Sequence, residues 1–148
     1  MKKLISIVLA ICLMCSGLIC FAQDEVEIEP RNSAYFVSYG TTLSRYGDGK
    51  IKIVFSTQST GIATTLGVAT YQVERLDDNG NWEDCSGTRN GKTASNVSSY
   101  TFGKYFYGIA GETYRVKATF CCVMNGGLEH KAYTSASITA NRVRNTEV

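Results

Sequence analysis

Histidine, tryptophan and proline each occur once in this chain of 148 residues, at His130, Trp82 and Pro30. A single histidine leaves little scope for general acid–base or nucleophilic chemistry built on imidazole. No His–Cys or His–Ser constellation can be assembled by spacing, and His130, in "GGLEHKA" near a hairpin tip, reads as a surface residue. From Ala34 onward there is no sustained helical period, which argues against a helical bundle or an alternating α/β chain. Beyond the first apolar run there is no second, so nothing after the N-terminal segment has the length and apolarity to cross a bilayer as a helix.

What is present begins with that N-terminal run. Lys2 and Lys3 precede the uncharged stretch from Leu4 to Ile19, and Cys20-Phe21-Ala22 puts small residues at the two positions a signal peptidase reads. This is the pattern of a secretory signal removed after Ala22. The alternative is an uncleaved anchor, since the run is just long enough to span. A lipoprotein is disfavoured because Ile19, before Cys20, is too large for the usual attachment box. Removing residues 1–22 from 148 leaves 126, lowers the basic residues from 15 to 13 against 13 acidic ones, and leaves Cys85, Cys121 and Cys122. A neutral mature chain carries no electrostatic footprint for nucleic acid or for anionic membrane. The C-terminal "NRVRNTEV" has neither an anchor nor a wall-sorting signal.

The expected organisation is a signal over 1–22, an acidic tether over 23–33 ending past Pro30, one domain over 34–141, and a tail over 142–148. The tether alternates Glu25, Glu27 and Glu29 with Val26 and Ile28, so a short strand is the other reading. Within the domain, short alternating runs are separated by turn residues. "KIKIVFST" sets Ile51, Ile53 and Phe55 on one face and Lys50, Lys52 and Val54 on the other. "GDG", "DDNGN" and "NGG" mark turns, and "TRNGKTASNVS" reads as a polar loop. About seven short strands at this spacing predict an all-β fold, a single antiparallel β-sandwich.

In "GIAGETYRVKATF", Ile109, Gly111 and Tyr114 lie just before a strand alternating Val116, Ala118 and Phe120. This resembles the E–F corner of fibronectin type III and immunoglobulin-like domains, where a tyrosine bonds back to the upstream backbone; the resemblance gives Tyr114 that role. The hairpin "YQVERLDDNGNW", with Trp82 after the turn, resembles their C–C′ hairpin. An immunoglobulin disulfide would need a cysteine two residues after Tyr114, where Val116 stands, so the resemblance is to the disulfide-free, fibronectin-like form. Over roughly residues 34–141, "STGIATTLGVATYQVERLDDNGNW", "YFYGIAGETYRVKATF" and "KAYTSASITA" also resemble a family of small secreted bacterial proteins known as a domain of unknown function. That likeness implies secretion and a sandwich, and brings no activity, substrate or catalytic residue.

Alternation along "YRVKATFCCVM" turns Cys122 inward with Val116, Ala118 and Phe120, as a small core residue, and Cys121 outward with Thr119, Lys117 and Arg115. Neighbours on opposite faces cannot clamp one metal ion, and a disulfide between them strains the backbone. Cys85 is expected to point opposite to Trp82, hence outward with Cys121, but about 9–10 Å away across an intervening strand. A Cys85 disulfide in an irregular register, or pairing between molecules, stays open. "DDNGNWED" fails as an EF-hand loop because Trp82 sits where the sharp-turn glycine is needed, and a hairpin turn accounts for Asn79-Gly80. Asn96-Val97-Ser98 fits a glycosylation acceptor, without consequence if the source is bacterial, as the resemblance implies.

Tyrosine is abundant, with 9 in the chain. If Phe102 and Phe106 face the core, Tyr105 and Tyr107 face outward, and Tyr35 and Tyr39 share a face opposite Phe36. Exposed tyrosines stack on sugar rings or anchor a protein partner, although strands favour tyrosine in any case. Two classes of function follow. One is a secreted, non-catalytic binding or structural module, without cofactor or metal, whose partner is an extracellular glycan or protein. The other is a small secreted enzyme or enzyme inhibitor, for which no residue pattern speaks.

Overall fold

The computed structural model describes residues 33–142; the expected signal over 1–22, the tether up to residue 32 and the tail from 143 lie outside the described residues. The elements are β1 (Phe36–Gly47), β2 (Lys50–Ala63), β3 (Thr65–Leu76), β4 (Trp82–Asp84), β5 (Arg89–Asn90), β6 (Thr93–Ala94), β7 (Val97–Tyr107), β8 (Thr113–Met124), β9 (Gly127–Thr134) and β10 (Ile138–Thr139). All are strands, paired antiparallel in two sheets. One sheet has the order β1–β2–β7. In the other, β8 and β3 are central; β9 and β10 share the outer edge of β8, and β4, β5 and β6 follow one another along β3.

The two sheets pack face to face because each long strand has one apolar face. Ile51, Ile53 and Phe55 project from β2 and meet Leu66, Val68, Tyr71 and Val73 of β3 and Val116, Ala118, Phe120 and Cys122 of β8 in one core. Phe55 meets Tyr71 across the sheets at a tilt, with centroids 5.1 Å apart. Fully burying each such aliphatic or phenyl side chain contributes about 1.5–3 kcal/mol. Met124 continues the inward face of β8, while β7 contributes Phe102 and Phe106.

Irregular pairing redirects several side chains that simple alternation misplaces. The register of β1 on β2 shifts between Phe36 and Ser38, so Val37 is an extra residue and everything after it changes face. Phe36 opposite Ser59 and Tyr39 opposite Thr57 therefore point the same way. Tyr39 is not opposite Phe36, as strict alternation predicted: its ring lies 5.2 Å from Phe36 and 5.5 Å from Phe120. The polar stretch read as a loop over 88–98 also differs, since Arg89–Asn90 and Thr93–Ala94 form short ladders along β3. Trp82 pairs with Leu76 on the same face as Glu74, so it lies on the outer side of its sheet, and the Arg115 guanidinium sits 4.3 Å from its ring.

Candidate functional site

On the outer face of β1–β2–β7, strand β7 presents Tyr105 and Tyr107, with Phe102 and Phe106 turned inward onto the core. Across the ladder Tyr107 is paired with Lys50 and Tyr105 with Lys52. The β1–β2 turn at Gly47–Gly49 folds Tyr46 back onto the same place; a second register shift, between Arg45 and Gly47, frees it from strict pairing. The result is a cluster of three rings around one ammonium. Lys50 Nζ is 4.2 Å from the Tyr105 centroid, 5.1 Å from that of Tyr46 and 5.3 Å from that of Tyr107. Tyr46 and Tyr105 meet edge-on at 5.3 Å. All three rings remain in solvent, at 58% (Tyr46), 44% (Tyr105) and 72% (Tyr107) exposure. A hydrogen bond with Tyr46 holds the Tyr105 hydroxyl above its ordinary pKa, and Lys50 pulls it the other way. Chemically, such a cluster offers flat apolar faces, hydroxyl groups at their rims and a fixed positive charge.

The sequence pointed to Tyr105 and Tyr107 but not to Tyr46 or Lys50. Only the β2–β7 register and the bend at Gly47–Gly49 bring those two in. Tyr35 and Tyr39, the other half of the expected tyrosine face, lie elsewhere. Both pack against the core, and Tyr35 fills the space beside Gly127, whose absent side chain its hydroxyl occupies. Glu129 holds that end of the chain in place: it accepts from the Ser33 hydroxyl at 2.9 Å and the Tyr35 amide at 3.0 Å.

Of the two adjacent thiols, Cys122 is inward and fully buried. Cys121 is on the opposite face yet only 6% exposed, which corrects the expectation of an accessible thiol. Its cross-strand neighbours are Gly67 on β3 and His130 on β9. A side chain this short, in a strand flanked on both sides, sits below the level of the longer groups around it. Cys85 follows the end of β4 at the sheet edge, exposed, with its thiol donating to the Val73 carbonyl at 3.3 Å. The three cysteines among the described residues are free, and burial raises the pKa of each, so none of them is a ready thiolate.

The remaining singled-out residues have local partners. The Tyr114 hydroxyl accepts from the Ile109 amide at 2.7 Å, and its ring packs edge-on against Phe106. Asp77 accepts from the amides of Asn79 at 2.9 Å and Asn81 at 2.7 Å, closing the "DDNGN" turn on itself. Glu74, buried on the outer side of the second sheet, binds Arg115 at 2.6 Å and Lys117 at 2.9 Å. Burial alone would raise its pKa; the bonds from Lys117 and Arg115 outweigh that and hold it below the usual value. Beside this group lies a shallow depression of about 320 Å³ bordered by Thr70, Gln72, Thr88, Lys117 and Thr119.

No family model and no curated protein matches this sequence. Among solved structures the chain is similar to a protein from Archaeoglobus fulgidus, at 14% identity and a TM-score of 0.39, over 72% of this chain and 98% of that one. A likeness of that extent carries no weight in the functional reading.

Proposed function

We propose that this protein is a secreted, non-catalytic binding module of the fibronectin type III or immunoglobulin-like kind, which contacts an extracellular glycan or protein through its tyrosine-bearing sheet face. Export rests on the signal-like residues 1–22. The domain type is supported by the strand order, in which β3 lies between β4 and β8 as strand C lies between C′ and F. It is supported too by the Tyr114 bond to the backbone five residues upstream. The observation that carries the functional reading is the solvent-facing cluster of Tyr46, Tyr105 and Tyr107 around Lys50. Large rings left in water on a strand face add nothing to the core, and they are the side chains that most often anchor contacts.

The test is a glycan and protein binding screen of the secreted protein beside the double variant Tyr105→Ala, Tyr107→Ala. Truncating an aromatic side chain that anchors a contact costs about 2 kcal/mol or more. The double variant is therefore expected to bind at least tenfold more weakly while melting at the parent temperature. Undiminished binding by a folded double variant would overturn the reading.

A further inference from the structure

The near-zero net charge expected of the processed chain conceals an uneven distribution. Strands β1, β2 and β7 carry Arg45, Lys50, Lys52 and Lys104 and no carboxylate. The carboxylates Glu74, Glu83, Asp84 and Glu129 lie on strands of the other sheet, with Asp77 and Asp78 in its turn, beside the cations Arg75, Arg89, Arg115, Lys117 and Lys131, so charge there is mixed and largely paired. On the outer face of the first sheet the cations are Lys50 and Lys52. Neither forms an ion pair among the described residues. The nearest acidic residue in sequence is Asp48, in the adjoining turn. Away from the rings this face is covered by short hydroxyl and amide side chains: Thr42, Ser44, Ser56, Gln58, Ser99 and Thr101, all exposed. Gly103, paired with Val54, adds no side chain, and the Lys52 stem runs beside it.

We propose that this face binds an acidic polysaccharide: sugar rings lie on Tyr105 and Tyr107, and the anionic substituents pair with Lys50 and Lys52. The proposal rests on the binding-module reading and adds the chemistry of the partner. Three features choose that partner. Lys52, and Lys50 held among the rings, have no carboxylate partner among the described residues and call for negative charge. The rings and the strip of hydroxyls suit the apolar faces and hydroxyl edges of sugars. Protein interfaces, in contrast, are poor in serine and lysine. Two outward cations are also few for nucleic acid, whose binding draws on many phosphate contacts. Along β7, Tyr105 and Tyr107 stand about 7 Å apart, so an extended chain can lie over both while Lys50 and Lys52 line its flank.

Calorimetric titration of the secreted protein against polygalacturonate and dextran sulfate, with neutral dextran, polyglutamate and single-stranded DNA as comparisons, tests this. The expected result is binding of an acidic glycan that weakens about tenfold or more for a tenfold rise in salt, as for the release of counterions by two cations. Lys52→Gln and Lys50→Gln are each expected to weaken that binding severalfold and flatten its salt dependence. Lys52→Gln is the safer of the two, because Lys50 is packed among the rings. The double tyrosine variant should lose the binding. Equal, salt-insensitive binding of neutral dextran that still needs the tyrosines would overturn the acidic partner and leave the tyrosine face standing. Equal binding of polyglutamate or DNA would overturn the polysaccharide, since charge alone would then suffice. Acidic-glycan binding that survives the double tyrosine variant would overturn the tyrosine face itself, and binding of neither acidic glycan would overturn the proposal.

Discussion

Cys121 and Cys122 differ in the face they occupy and share the same lack of access, because strand parity decides direction while neighbours decide exposure. Both thiols are buried with raised pKa values, and Cys85, at the sheet edge, is the exposed one. A maleimide applied to the native protein is therefore expected to modify Cys85 first, and Cys121 and Cys122 only on unfolding. Mass mapping of the labelled sites checks this; labelling of Cys121 at the rate of Cys85 would contradict it. Cys122→Ser, which puts a hydroxyl into an apolar site, is expected to cost about 1–3 kcal/mol. Trp82 makes the same point from the other side. It is a large aromatic after a hairpin turn, yet it packs over Arg115 outside the sandwich.

Among the connections, the crossover from β7 to β8 has the most specific chemistry. Gly108 passes so close to the Tyr114 ring that a Cβ there would stand 2.6 Å from Cζ. The glycine thus makes room for the ring whose hydroxyl takes the Ile109 amide. Tyr114→Phe removes one hydrogen bond and is expected to cost about 1 kcal/mol. Gly108→Ala forces the ring to move and is expected to cost more, about 1–3 kcal/mol. Denaturant midpoints of the two variants, measured beside the parent, give the order; a Gly108→Ala protein as stable as the parent would show that the ring is not held there. In β1, the extra residue Val37 determines which tyrosines are available. It turns Tyr39 toward the core and away from the tyrosine face that alternation alone predicts, whereas Tyr35, which precedes it, is held against Gly127.

For the whole molecule, carboxylates tie strand to strand and sheet to sheet. Glu74 joins β3 to β8, and Glu129 on β9 holds the segment that leads into β1. Burial works against ionisation of Glu129, but bonds from Ser33, the Tyr35 amide and Lys131 outweigh it, so its pKa, like that of Glu74, is lowered. A carboxyl with a lowered folded-state pKa stabilises fully above its unfolded value and ceases to do so as pH falls through the folded one. Denaturant midpoints are expected to hold near neutrality and to decline below about pH 4, the unfolded carboxylate range. Glu74→Gln should lower the neutral midpoint and flatten part of the decline. A variant with the parent's full acid slope would show that Glu74 contributes nothing to it.

The all-β class, the turns at "GDG", "DDNGN" and "NGG", and the core faces of β2 and β8 could be read from the sequence. Each rests on local pattern: period-two alternation and the residues that permit tight turns. The outward facing of Tyr105 and Tyr107 was legible for the same reason, since β7 alternates without interruption across them. The bulge at Val37, the short ladders at 89–94, the shielding of Cys121 and the meeting of Tyr46 with Lys50 and Tyr105 were decided by tertiary structure. Each depends on which strand lies beside which and in what register, and that is fixed by how the two sheets close over a shared core rather than by any run of neighbouring residues.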